Sequence, residues 1–159
     1  MIKPCLRHSA APLLIQILVL MAAASFSNVQ VAEASDFCQG SVNSLGGFDP
    51  ASGAVTLCQN NLSGHHAKES RLEVLKHELS HVVQHRLGRG GNSLLPDALL
   101  TPIVRQLMPS EEVMAVLMDY PRADLNGELE ARLMGRYLPS GVIALGLLLT
   151  RDGNNRVVW

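Results

Sequence analysis

Between Arg71 and Leu87 the apolar positions Leu72, Leu75, Leu79, Val82 and Val83 recur every three or four residues. That interval places them on one face and predicts an amphipathic helix. Ser70-Arg71-Leu72-Glu73 has the form of a capping box at its start, and Gly88, Gly90 and Gly91 supply a stop. Downstream, helical periodicity broken at prolines predicts four more helices. They run from Pro96 to about Met108, from Glu111 to Asp119 behind a Ser110 cap, from Leu125 to Leu138, and from Gly141 to Leu149. The stretch from Ser35 to Asn61 has a different texture. A short extended piece leads into a turn at Pro50 to Gly53 and then a β-prone run, Ala54 to Gln59. The polar loop "NNLSGHH" follows. The pattern predicts a mostly helical α+β domain with a small N-terminal sheet or hairpin.

The opening of the chain breaks this pattern. Lys3 and Arg7 precede an apolar run from Leu13 to Ala24, interrupted by Gln16, and Ala32-Glu33-Ala34 has the small-x-small form of a signal-peptidase site. Residues 1–34 therefore read as a cleaved export signal, with residues 35–159 as one domain. The alternative is an uncleaved membrane anchor facing outside the cytoplasm, which Pro12, Gln16 and the shortness of the run weaken. Cysteine usage agrees with export. Cys5 falls in the leader, leaving Cys38 and Cys58 to pair as a disulfide, with two free buried thiols as the alternative. A secreted or periplasmic location follows from these readings.

Composition narrows the function. The 13 Lys and Arg residues against 14 Asp and Glu give a formal net charge of −1, which lacks the basic footprint of a nucleic-acid-binding protein.

The chemistry is concentrated in "KHELSHVVQH", Lys76 to His85. His77 and His81 lie one helical turn apart, so both imidazoles leave the same face and can hold one zinc ion. Glu78 is rotated by about 100° from His77, suited to accept a proton from a water rather than to ligate. His85 lies about 12 Å along the axis from His77, too far to share the ion, and reads as a supporting or surface residue. His65 and His66 read as solvated loop residues. The third ligand is expected on a later helix, where "NGELEARLMGRYLP" offers two carboxylates on nearly opposite faces. Glu128 shares its face with Ala131, Gly135 and Leu138, whose small members permit close approach to the histidine helix. Glu130 is the second choice. Tyr120, Tyr137 and, more weakly, Arg132 are candidates to stabilise an oxyanion.

His77-Glu78-Leu79-Ser80-His81 is the HExxH arrangement of zinc peptidases, and "ELEA" from Glu128 to Ala131 resembles the Glu-x-x-Ala motif of the gluzincin type. "GGFDPASGAVTLCQNNLSG" followed by "EVLKHELSHVVQH" resembles the Atp23-type metallopeptidases of the mitochondrial inner membrane. The likeness spans Gly46 to Leu87 and, loosely, Glu128 to Gly135. The family's Asp-x-Cys-Arg element is absent, with "VVQHRLGRGG" in its place, and so is its cysteine-rich end. The resemblance implies a minimal zincin-like domain with one zinc ion on His77, His81 and Glu128, and Glu78 as general base. It also implies that the strand before the helix, with Val55, Thr56 and Leu57, offers its edge to an extended peptide or protein substrate. The competing expectation is an exported zinc-binding or assembly protein without proteolysis. Oligomeric state is not legible.

Overall fold

A computed structural model describes residues 10–33, 38–39, 44–63, 71–89 and 92–151. The order is α1 (Ala10–Phe26), β1 (Val31–Glu33), β2 (Gly46–Asp49), β3 (Ala54–Leu57), α2 (Gln59–Leu62), α3 (Arg71–Gln84), α4 (Asp97–Leu107), α5 (Ser110–Asp119), α6 (Leu125–Tyr137) and α7 (Ser140–Leu149). The domain is α+β and mostly helical, with one three-stranded sheet ordered β1-β3-β2.

The hairpin forms where its turn chemistry places it. Asp49 accepts hydrogen bonds from the Ala51 amide (2.9 Å) and the Ser52 hydroxyl (2.6 Å), and Gly53 takes the left-handed φ of 71°. β2 and β3 are thereby paired antiparallel, with Phe48 opposite Val55. Immediately after β3, Cys58 is bonded to Cys38, whose side chain closes the expected disulfide. Such a bond belongs to an oxidising compartment.

All five apolar positions predicted for the α3 face are buried, Leu75 and Leu79 completely. Each fully buried leucine contributes about 1.5–3 kcal/mol, so this stripe decides which way the helix faces. The helix passes into a widened turn over His85–Arg89, where Gly88 has φ 73°. Ser70, His65, His66, Gly90 and Gly91 lie outside the described residues, so the capping box and the loop histidines do too. A second apolar cluster joins Leu100 and Val104 of α4, Val116 of α5, and Leu129 and Leu133 of α6. Pro109, rather than Ser110, occupies the cap position of α5. The segment read as a polar loop after β3 instead begins with the short helix α2.

The sheet differs from expectation in a way that bears on function. β1 pairs in parallel with β3, Val31 opposite Val55 and Glu33 opposite Leu57. Val55, Thr56 and Leu57 are therefore internal, with a strand on each side, and have no edge to offer. Among the described residues the two outer edges belong to β1 and β2, and of these β2 lies against Glu78 through Gly46. The cause lies in Val31–Glu33, which overlaps the small-x-small motif Ala32-Glu33-Ala34 and adds a strand beside β3. Ala34 and Ser35 lie outside the described residues. The helix before β1 is also built in, since Leu20, Ala23 and Ala24 of α1 join Val29, Leu75, Val82 and Leu147 in the main core. Among the described residues no helix is long and apolar enough to cross a membrane.

Candidate metal centre

α3 and α6 carry the site, and their closeness has one visible cause. A Cβ added at Gly135 of α6 would sit 2.9 Å from the Glu73 carbonyl oxygen and 3.3 Å from the His77 Cβ. Only a glycine lets the two backbones pack at this distance, and Ala131, one turn earlier, is fully buried in the same seam. The small-residue face expected for α6 is the face that meets α3.

This packing delivers Glu128 to the histidines. Its Oε2 lies 3.6 Å from His77 Nε2 and 3.3 Å from His81 Nε2, and the two imidazole nitrogens are 3.1 Å apart. His77, His81 and Glu128 can therefore hold a metal ion between them. A tetrahedral cation with bonds of about 2.0–2.1 Å separates its ligand atoms by about 3.3–3.4 Å, so the triangle already has the dimensions required.

Each ligand is turned by a neighbour. Arg132 Nε donates to Glu128 Oε1 at 2.8 Å, leaving Oε2 directed at the imidazoles. Arg132 is thus placed as a support for Glu128. Its own position is steadied from α5 by Glu112, which pairs with Arg136 at 2.8 Å and lies 3.8 Å from Arg132. Burial by itself would raise the Glu128 carboxyl. Hydrogen bonds and charge from His77 and His81 outweigh it and hold Glu128 well below the usual carboxylate range. Burial likewise pushes the His77 imidazole down, but Glu128 and then Glu78 reverse the sign and raise it above its ordinary value.

His81 is oriented by a relay that the sequence reading did not find. Gln84 Nε2 donates to Glu130 Oε2 (2.8 Å) and to the Gly127 carbonyl (3.1 Å), which fixes the amide so that Oε1 faces His81. That oxygen can only accept, so His81 Nδ1 carries the proton at 2.9 Å and Nε2 keeps its lone pair toward the ion. Glu130 is 2% exposed and also accepts from the Leu94 and Leu95 amides at 2.7 and 2.8 Å. It faces away from the imidazoles. The group that could hold an ion contains Glu128 and not this second-choice residue, which ties α3, α6 and the segment before α4 together. The available signal was Gln84 itself, a polar residue three positions after His81, next to the buried Val83 stripe.

Glu78 is buried beside the pair, and a Cβ added at Gly46 would meet its Oε1 at 3.0 Å. β2 thus runs directly against the carboxylate. A cavity of about 300 Å³ opens over the centre, walled by His81, Glu128, Phe48, His85 and Tyr120. His85 stacks edge-on with Phe48 at 5.7 Å and helps form this wall, without approaching the ion position. Tyr120 lies beside Glu128 and Arg132. Burial, followed by the Glu128 charge, pushes its hydroxyl up to about 12, so it stays protonated. Tyr137 points elsewhere, its hydroxyl donating to the Leu107 carbonyl at 2.8 Å.

The chain matches no protein-family model, no curated protein and no solved structure. The site therefore stands on its own geometry.

Two outcomes follow. Gln84→Ala frees the His81 tautomer and weakens metal binding by about 10–100-fold, read by competition with a chromophoric chelator. The second concerns pH. A metal needs His77 neutral, while the metal-free protein raises the His77 proton affinity above the ordinary 6.5. Affinity is thus fully present above the raised value and is lost as pH falls through it. Calorimetric titrations from about pH 8.5 down to about 5.5 place the midpoint above 6.5 in the wild type, with protons released on binding.

Proposed function

We propose that the protein is an exported zinc-dependent endopeptidase. The single observation that carries this reading is the convergence of a distant carboxylate, Glu128, on two imidazoles one turn apart, with a buried Glu78 beside them. Two nitrogens and one oxygen, with space left above them, are the donor set of a catalytic zinc rather than a closed structural one. His77, His81 and Glu128 would hold the ion, and zinc there would supply Lewis-acid polarisation of a carbonyl and an acidified water. The HExxH and Glu-x-x-Ala motifs support the same assignment by resemblance.

The remaining steps fall to the chain's own side chains. Glu78, packed against Gly46, takes a proton from the attacking water and returns it to the departing amine. Tyr120, protonated in the cavity wall, donates a hydrogen bond toward the oxygen on which charge develops. An extended peptide pairs along the outer edge of β2, since β3 is enclosed on both sides. Phe48 and Pro50 place that edge at the cavity mouth, over Glu78 and His81. Backbone pairing of this kind accepts varied side chains, in keeping with a peptide or protein substrate. The disulfide and the apolar opening segment support export to a periplasmic or extracellular compartment.

Glu78→Gln keeps the metal and the fold but removes the proton acceptor, so cleavage of a denatured protein mixture falls by about 10²–10⁴-fold. Undiminished cleavage contradicts the mechanism. Full metal occupancy with no cleavage of any peptide by the wild type leaves a zinc-binding protein without proteolysis.

A further inference from the structure

We propose that α1 and α7 together dock the full-length chain into one side of a lipid bilayer, with α1 retained rather than discarded. The proposal goes beyond the reaction at the metal centre and does not depend on it.

α1 behaves as part of the folded domain. Leu20 has no exposed surface, Ala24 is 1% exposed, and the Ser140 hydroxyl at the start of α7 donates to Gln16 Oε1 at 3.0 Å. Arg86, just past α3, donates to the Ser27 carbonyl at 2.7 Å, and β1 continues the same segment into the sheet. Cutting after Ala34 would separate all of this from the rest of the chain. It would open the core at Leu75, Val82 and Leu147 and strip a strand from β3.

The other side of this helix pair has nothing folded against it among the described residues. Leu14, Ile15 and Leu18 of α1 are 58–60% exposed, and Leu145, Leu148 and Leu149 of α7 are 46–67% exposed. The two helices lie side by side, so these side chains form one apolar face. Neither helix contains a single charged residue over its 17 and 10 positions. By contrast α4 and α5, equally peripheral, carry Asp97, Arg105, Glu111 and Asp119 on their water-facing sides. A helix apolar on every side belongs in a core or in lipid, and only half of each of these is in the core.

The chemistry of the face selects lipid over a second protein. Protein interfaces carry about one hydrogen bond per 100–200 Å² and a polar rim. Within α1 and α7 the polar side chains are Gln16, Ser25 and Ser140, and two of these three bond each other. Hydrocarbon asks for no such partners. Lys3 and Arg7 precede α1 in the sequence, a local positive charge that favours anionic lipid. A 17-residue helix rises about 25 Å, short of the roughly 30 Å hydrocarbon layer, so the pair embeds from one face without crossing.

The test is flotation of the full chain with vesicles of phosphatidylcholine and phosphatidylglycerol on a density gradient, with intact mass measured on the floated material. The expected result is that the protein floats and retains residues 1–34. The double variant Leu18→Glu/Leu145→Glu should then reduce the floated fraction at least tenfold, with unchanged helical circular dichroism and metal binding. Leu117→Glu, on the exposed side of α5, should float like the wild type. Three results overturn the proposal: wild type remaining in the dense fraction, a folded protein beginning at Ser35, or a vesicle-free dimer that Leu18→Glu dissociates. Flotation is read without metal or substrate, so its failure leaves the peptidase reading standing and the converse also holds.

Discussion

The approach of α6 to α3 at Gly135 is the constraint on which the rest of the molecule depends. With backbone nearly touching backbone, Glu128 arrives within 3.3–3.6 Å of two imidazole nitrogens and the centre exists. A helix separation set by ordinary side chains would leave Glu128 a buried carboxylate beside two histidines it could not share an ion with. Burying such a charge is costly unless it is paired. The site balances that cost with the imidazoles on one oxygen of Glu128 and Arg132 on the other. The opposite side of α6 repeats the solution. Glu130 is buried as deeply and is satisfied by two backbone amides and the Gln84 amide.

These two carboxylates divide the labour of one helix. Two residues apart, they leave α6 about 200° apart, so one can face a cation while the other anchors a loop. Gln84 joins the halves, because the amide that Glu130 orients is the one that sets the His81 tautomer. Stability and ligand geometry are thereby coupled through one hydrogen-bonded chain, running from the segment before α4 to the ion position. Above it, Gly46 brings β2 onto Glu78, and Tyr120, at the end of α5, lines the cavity. The cavity over the ion position is bordered by Phe48 of the strand and by Pro50.

How much of this was legible follows from the range of each interaction. His77, Glu78 and His81 are local, one turn of one helix, and their spacing carries their geometry. Glu128 was legible through Ala131 and Gly135, since small residues in register announce a close helix contact. The hairpin was legible through Asp49, Pro50 and Gly53. The Gln84–Glu130 bond spans 46 residues and leaves no periodic trace, so Glu130 looked like a spare ligand rather than an anchor. The first 34 residues carry two readings at once. An apolar run followed by small residues has the same composition whether it is a leader or a core helix with a strand behind it. Three residues, Val31 to Glu33, are too few for alternation to show, and they alone decide whether β3 is an edge. Pairing with β3 moved the candidate substrate edge to β2.

The central claim is that His77, His81 and Glu128 hold one ion. X-ray absorption at the zinc edge of the metal-loaded protein measures this most directly. The account predicts four light-atom neighbours at about 2.0–2.1 Å, two of them with the outer scattering of imidazole rings, and loss of one oxygen neighbour in Glu128→Ala. A sulfur shell at about 2.3 Å, or a spectrum unchanged by Glu128→Ala, would contradict it.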